Sequence, residues 1–86
     1  EIARLAVQHD FFVFTDEIYS RMYFDSAPRS VLSEPGMKER TILLDGFSKT
    51  YAMTGWRLGY GVMPEWMIDA MQKLLVNAVS CTASMV

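Results

Sequence analysis

Two short apolar runs constrain this chain more than any other feature. They are Phe11-Phe12-Val13-Phe14-Thr15 and Thr41-Ile42-Leu43-Leu44-Asp45. Neither alternates apolar with polar residues. An unbroken run of aromatic and β-branched side chains suits a strand buried on both faces, as in a parallel sheet. Parallel strands need a crossover of a dozen residues or more, and residues 16–40 are long enough to make one. Within that crossover, Arg21-Met22-Tyr23-Phe24 reads as a short edge strand. Ser30 to Glu39 reads as a helical turn, broken at Pro35-Gly36.

The rest of the pattern surrounds these strands with helices. Residues 1–9 read as helix, with Ile2, Leu5, Ala6 and His9 on one face and a polar break at His9-Asp10. Residues 57–63, Arg-Leu-Gly-Tyr-Gly-Val-Met, read as a third strand, its two glycines marking a close approach. Residues 64–78 read as a helix with Pro64 at its first position and Glu65 at the positive end of its dipole. Met67, Met71, Leu74, Leu75 and Ala78 mark its expected buried stripe. The fold class is α/β, with helices packed on a mostly parallel sheet.

Composition narrows the setting. Eighty-six residues make at most one domain, yet 51% of them are hydrophobic. A domain so small buries a limited share of its surface. The first helix opens without an N-cap, and Ser80 or Thr82 reads as the N-cap of a helix cut short. The chain is therefore expected to be an internal segment of a larger domain. A net charge of −2 gives no basic surface for nucleic acid. The single cysteine, Cys81, excludes a disulfide framework and a paired-cysteine metal site, and reads as a small buried hydrophobe. The apolar stretches fall far short of a membrane span. No signal pattern opens the chain, so a reducing cytoplasmic compartment is expected.

Ligands of open α/β sheets bind beyond the carboxyl ends of the strands. The strand 11–15 delivers Asp16 there, with Tyr19 three residues on. The strand 41–45 delivers Ser48 and Lys49. If the strand 57–63 runs back antiparallel, Arg57 starts at the same edge. A carboxylate, a phenol, an amine and a guanidinium then converge on one cleft. A lysine amine in an apolar site becomes a usable nucleophile toward an aldehyde. A guanidinium grips phosphate. A carboxylate holds a proton on a ring nitrogen, and a phenol donates to a phenolate oxygen. Pyridoxal 5′-phosphate offers all four partners. Each residue alone has an ordinary structural reading: a loop lysine, a turn aspartate, a packed tyrosine, an ion-paired arginine, a turn serine. Packing is the better reading of Tyr51, Trp56 and Tyr60.

At this point the sequence resembles a family. Asp16-Glu17-Ile18-Tyr19, followed by Gly46-Phe47-Ser48-Lys49 and the Arg57-Leu58-Gly59 that comes eight residues after the lysine, resembles the class I/II aminotransferases of fold type I. The resemblance runs over essentially the whole chain. It implies a pyridoxal-phosphate-dependent transfer of an amino group between an amino acid and a 2-oxo acid. It implies that Lys49 forms the Schiff base and moves the substrate proton, and that Asp16 pairs with the pyridine nitrogen. Tyr19 would bond the phenolic oxygen, and Arg57, with Ser48, would hold the phosphate. Relatives often carry a phosphate-binding serine where this chain has Gly46. The resemblance also implies a homodimeric full-length protein, with residues 1–86 a central part of its large domain and inactive by themselves. A Cα/Cβ lyase of the same fold type, or a regulatory protein with an aminotransferase-like domain, is the alternative. The family leaves the amino acid substrate open.

Overall fold

The computed structural model describes residues 1–79 and 82–85. The expected N-cap at Ser80 and the reading of Cys81 lie outside the described residues. Helix α1 spans Ile2–His9 and strand β1 spans Val13–Asp16. Strand β2 spans Thr41–Gly46, strand β3 spans Gly59–Val62, and helix α2 spans Ile68–Ala78. Single 3-10 turns lie at Val31–Ser33, Thr54–Trp56 and Glu65–Met67.

Helix α1 stops at the expected break. Asp10 turns left-handed, with φ 52°, and its N–H returns to the Ala6 carbonyl. Arg40 secures that end from a distance. Its Nη1 donates to Asp10 Oδ1 at 2.8 Å and to the Ala6 carbonyl at 3.3 Å, and its Nε donates to the Gly36 carbonyl. A cation on the last carbonyls of a helix is favoured by the helix dipole. Arg40 directly precedes β2, so this contact also fixes where β2 starts. The buried centre lies here, with Ala6, Met37 and Thr41 fully enclosed.

The sheet has the order β1-β2-β3. β1 and β2 are parallel, in register from Val13↔Thr41 to Asp16↔Leu44. β2 and β3 are antiparallel, from Leu43↔Val62 to Gly46↔Gly59. The expected parallel pair and the reversed last strand are both present. The crossover carries its expected helical turn at Val31–Ser33, capped by the Ser30 hydroxyl, which accepts from the Leu32 N–H.

Four expectations change. The first strand begins at Val13, so Phe11 and Phe12 precede it. It is an edge strand with one open face, and Phe14 is 62% exposed. Apolar content therefore identified the strand but not its enclosure. Residues 21–24 form no strand; they are exposed turn and bend with no ladder partner among the described residues. The third strand begins at Gly59, because Arg57 adopts φ 53° and ends the turn before it. Finally, Leu74 and Leu75 of α2 are exposed, although Met67 and Met71 are half-buried. The stripe has the spacing of a buried face, yet no described element covers its last turn.

Candidate functional site

The mixed sheet brings three loops to one edge. β1 and β2 are parallel, so both end there. β3 is antiparallel to β2, so it begins there. The segments after Asp16, after Gly46 and before Gly59 are the three loops. They carry Tyr19, Ser48, Lys49 and Arg57, and Asp16 ends the strand that leads into the first of them.

Asp16 closes β1. Its Oδ1 accepts the Ile18 N–H at 3.2 Å, so the side chain also shapes the turn that follows. The Glu17 N–H donates to the Leu44 carbonyl at 2.8 Å, which carries the β1–β2 ladder one step past the strand. Bonds from Ser20 N–H to the Glu17 carbonyl and from Met22 N–H to the Tyr19 carbonyl, each 2.8 Å, fold the turn around Tyr19. Glu17 accepts the Ser30 hydroxyl at 2.6 Å, tying the turn to the middle of the crossover. An open cleft of about 240 Å³ lies between them, with Asp16 and Tyr19 in its lining.

Lys49 sits in a tight turn directly beyond β2. The Tyr51 N–H closes it on the Phe47 carbonyl at 3.2 Å, and the Phe47 N–H donates to the Leu58 carbonyl at 3.2 Å. Lys49 and Ser48 are both half-buried. The Lys49 amine lies 5.6 Å from the centre of the Tyr19 ring, over its face. An ammonium at that distance is attracted by the ring quadrupole. Two residues far apart in sequence thus meet at the sheet edge.

Arg57 stands at the same edge by topology, but in an unexpected state. Its backbone is left-handed, and its Nη1 donates to the Thr54 carbonyl at 2.9 Å. It caps the 3-10 turn Thr54–Trp56 rather than opening the strand. The guanidinium remains exposed, with other N–H groups to offer.

Gly46 has a steric explanation. A Cβ there would lie 3.0 Å from the Leu58 carbonyl oxygen, 3.1 Å from Gly59 Cα and 3.2 Å from Ile18 Cδ1. A serine at this position would crowd the β3 backbone. The Gly46 N–H donates to Asp45 Oδ1 at 2.7 Å.

Sequence reasoning missed the pair Asp45 and Tyr60. They face each other across β2 and β3, and the Tyr60 hydroxyl donates to Asp45 Oδ2 at 2.8 Å. That hydrogen bond, with the neighbouring negative charge, raises the Tyr60 phenol above its ordinary range. The available signal was a carboxylate ending an otherwise apolar strand. The Tyr60 and Tyr51 rings lie beside Phe47, at 6.0 Å and 5.6 Å between centroids, yet both remain exposed.

Among the described residues, no cluster of acidic, histidine or cysteine side chains has metal-binding spacing. No described helix is long and apolar enough to cross a membrane.

Comparison with known proteins gives a consistent result. The profile of the family described as aminotransferase class I and II matches residues 1–85. An aspartate aminotransferase from Musicola paradisiaca is 46% identical over 86 residues, covering 99% of this chain and 22% of that protein. The aromatic-amino-acid aminotransferase 2 of Thermococcus litoralis is 42% identical over 87 residues, covering 100% of this chain and 22% of that protein. The crystal structure of an aromatic aminotransferase from Pyrococcus horikoshii superposes with a TM-score of 0.82 at 49% identity, over 90% of this chain and 21% of that one. The chain thus spans about a fifth of the length of these relatives.

Proposed function

We propose that this chain, which belongs to the aminotransferase class I and II family, is the cofactor-binding segment of a pyridoxal-phosphate-dependent aminotransferase. The whole protein would move an amino group between an amino acid and a 2-oxo acid. The relatives are named for transfer from different amino acids, aspartate in one and aromatic residues in another. They agree on the reaction class and leave the substrate side chain open. None of those described here is named as a lyase or a regulator, so the alternatives have no support.

The donor set at the sheet edge fits pyridoxal 5′-phosphate by its chemistry. Bound there, the cofactor supplies an aldehyde carbon and a ring that accepts an electron pair. Lys49 would hold the aldehyde carbon through its amine, and Asp16 would keep a proton on the ring nitrogen. Tyr19 would donate its hydroxyl to the ring oxygen. Arg57, with Ser48, would bind the phosphate, since a guanidinium fork matches phosphate oxygens.

This chain's own part in the reaction follows from placement. Lys49 is carried on a short closed turn, so its backbone is held at the sheet edge and its amine reaches out from there. From there it can take the proton from the substrate Cα and return it at a second carbon. An amine within reach of the proton it takes can act as a general base. The Tyr19 ring lies under that amine and limits where it can swing. Asp16 is fixed by the Ile18 N–H, which leaves Oδ2 free of a described partner.

The observation that carries this reading is the meeting of Lys49 and Tyr19, 5.6 Å apart, at the joint end of two parallel strands. Residues 1–86 by themselves are proposed not to transaminate. Their sheet has open edges, and Phe14, Leu74 and Val76 are exposed. A homodimeric, cytoplasmic full-length enzyme belongs to the same proposal.

The test is reductive trapping. The full-length protein carrying this segment is mixed with pyridoxal phosphate, reduced with borohydride and digested. The label is expected on Lys49. Label on a different lysine, or none, overturns the assignment.

A further inference from the structure

The turn that carries Lys49 is held at its base by a polar pair that the proposed reaction does not use. Asp45 is the last side chain of β2, since Gly46 has none. Its Oδ1 accepts the Gly46 N–H at 2.7 Å, and its Oδ2 accepts the Tyr60 hydroxyl at 2.8 Å. Both oxygens are therefore engaged, one along the chain and one across the sheet.

The contacts continue from there to the lysine. Phe47 follows Gly46, and its N–H is bonded to the Leu58 carbonyl. The Phe47 ring meets the Tyr60 ring edge-on at 6.0 Å and the Tyr51 ring at 5.6 Å. Its carbonyl accepts the Tyr51 N–H that closes the turn. Lys49 lies inside this closed turn. Every step from Tyr60 to the lysine backbone is a hydrogen bond, a ring contact or a peptide bond.

A sheet does not need this pair. Ile42, Leu43 and Leu44 already suit the strand, and an apolar side chain at position 45 would suit it as well. The carboxylate sits half-buried beside the loop that matters most. A hydrogen bond with an ionised acceptor is about twice as strong as a neutral one. Placed at the root of a short turn, it fixes the direction in which the turn leaves the sheet.

We propose that Asp45 and Tyr60 are positioning residues for Lys49: the Tyr60 hydroxyl holds the Asp45 carboxylate, which sets the departure of the turn and so the aim of the amine. This rests on the reading of Lys49 as the reactive lysine. Neither residue touches the cofactor in this scheme.

The experiment uses the full-length protein carrying this segment, with the variants Tyr60→Phe, Asp45→Ala and Asp45→Asn. Phe keeps the ring contact with Phe47, so Tyr60→Phe removes only the hydroxyl. Asn keeps one acceptor oxygen, which can serve the hydroxyl or the Gly46 N–H but not both. Two readouts are taken. One is amide hydrogen exchange over residues 47–51 without cofactor. The other is the rate of borohydride-trapped labelling of Lys49 with pyridoxal phosphate.

In Tyr60→Phe and Asp45→Ala, exchange over 47–51 is expected to rise about tenfold, as for loss of a hydrogen bond to a charged group. Exchange in α1 and β1 is expected to stay unchanged, and labelling of Lys49 to slow. Asp45→Asn, which keeps one acceptor oxygen and loses the charge, is expected to recover only part of both. Wild-type exchange over 47–51 in Tyr60→Phe overturns the proposal. So does a uniform rise across the whole domain, which marks a general stabilising role. If wild-type protein shows no label on Lys49, the functional reading fails, and the exchange arm still decides whether the pair holds the turn.

Discussion

The Lys49 amine lies over the Tyr19 ring, 5.6 Å from its centre, although the two residues follow different strands. The contact requires that β1 and β2 be parallel and in the observed register. It gives Tyr19 a ring face for the lysine, beside the hydroxyl that the proposed function assigns to the cofactor. Tyr19→Phe is expected to weaken pyridoxal phosphate binding about 2–10-fold, the worth of one hydrogen bond. Tyr19→Ala removes the same hydroxyl together with the ring face against Lys49, and is expected to weaken binding as well. Spectroscopic titration of the full-length protein measures both. Equal affinity in all three proteins would remove Tyr19 from the site.

Asp16 has a structural duty and a proposed electrostatic one. Its Oδ1 accepts the Ile18 N–H, a bond that asparagine can also make. Asp16→Asn should therefore fold normally while losing the negative charge. Turnover is expected to fall at least about 100-fold, within the usual range for a positioned proton partner. Steady-state kinetics alongside a thermal melt separate the two duties. Unchanged turnover would leave Asp16 as a turn residue only.

Gly46 is predicted to resist enlargement. In Gly46→Ala the new Cβ meets the Leu58 carbonyl oxygen at 3.0 Å and Gly59 Cα at 3.1 Å, both backbone atoms. Backbone cannot swing aside as a side-chain tip can. The expected loss of stability is about 1–3 kcal/mol, as for overpacking. Denaturant unfolding of the full-length protein reads it, and an unchanged midpoint would mean that β3 shifts freely.

Ala52 is held at φ 54°, in the left-handed region that disfavours side chains with a Cβ. That conformation costs about 1–2 kcal/mol for an L-residue, and glycine gives back about 0.5–1 kcal/mol through its looser unfolded chain. Ala52→Gly is thus expected to raise stability, by up to about 1 kcal/mol. A lower melting temperature in this variant would contradict the strain.

The Tyr60 phenol is raised chiefly by its hydrogen bond to Asp45, with smaller contributions from burial and the Asp45 charge. Arg21 acts weakly in the opposite sense and Tyr51 weakly in the same one. A raised folded value means that the native state holds the proton more tightly. The associated stability is fully present below about pH 10, the unfolded phenol value, and is lost as pH rises through the folded value. Phenolate absorbance, compared between wild type and Tyr60→Phe, is expected to show Tyr60 titrating above the ordinary phenol range. Asp45→Ala should bring it back toward the ordinary range.

Much of the fold was legible because it rests on local chemistry. The break at His9-Asp10 was visible as two polar residues, and Asp10 does turn left-handed there. Strand β2 was visible as Thr41-Ile42-Leu43-Leu44-Asp45 and extends one residue further, to Gly46. The candidate residues were legible because they sit at fixed offsets from strand ends. Strand β1 was less so. Phe11 and Phe12 share the apolar character of Val13 and Phe14, and only the partner strand decides which of them join the ladder. Arg57 was misplaced for a similar reason. A side-chain pattern does not reveal a left-handed backbone, and arginine is seldom found in one.

The sequence by itself determined which chemistry is available: an amine at Lys49, a carboxylate at Asp16, a phenol at Tyr19 and a guanidinium at Arg57, each near the end of an apolar run. It also indicated helix α1 and strand β2, because apolar patterning is a property of neighbours along the chain. Only the tertiary structure decided that Lys49 lies over the Tyr19 ring, that Arg57 turns back to the Thr54 carbonyl, and that Asp45 is held by Tyr60. Those relationships depend on the register between strands, and register is set by contacts between residues distant in sequence.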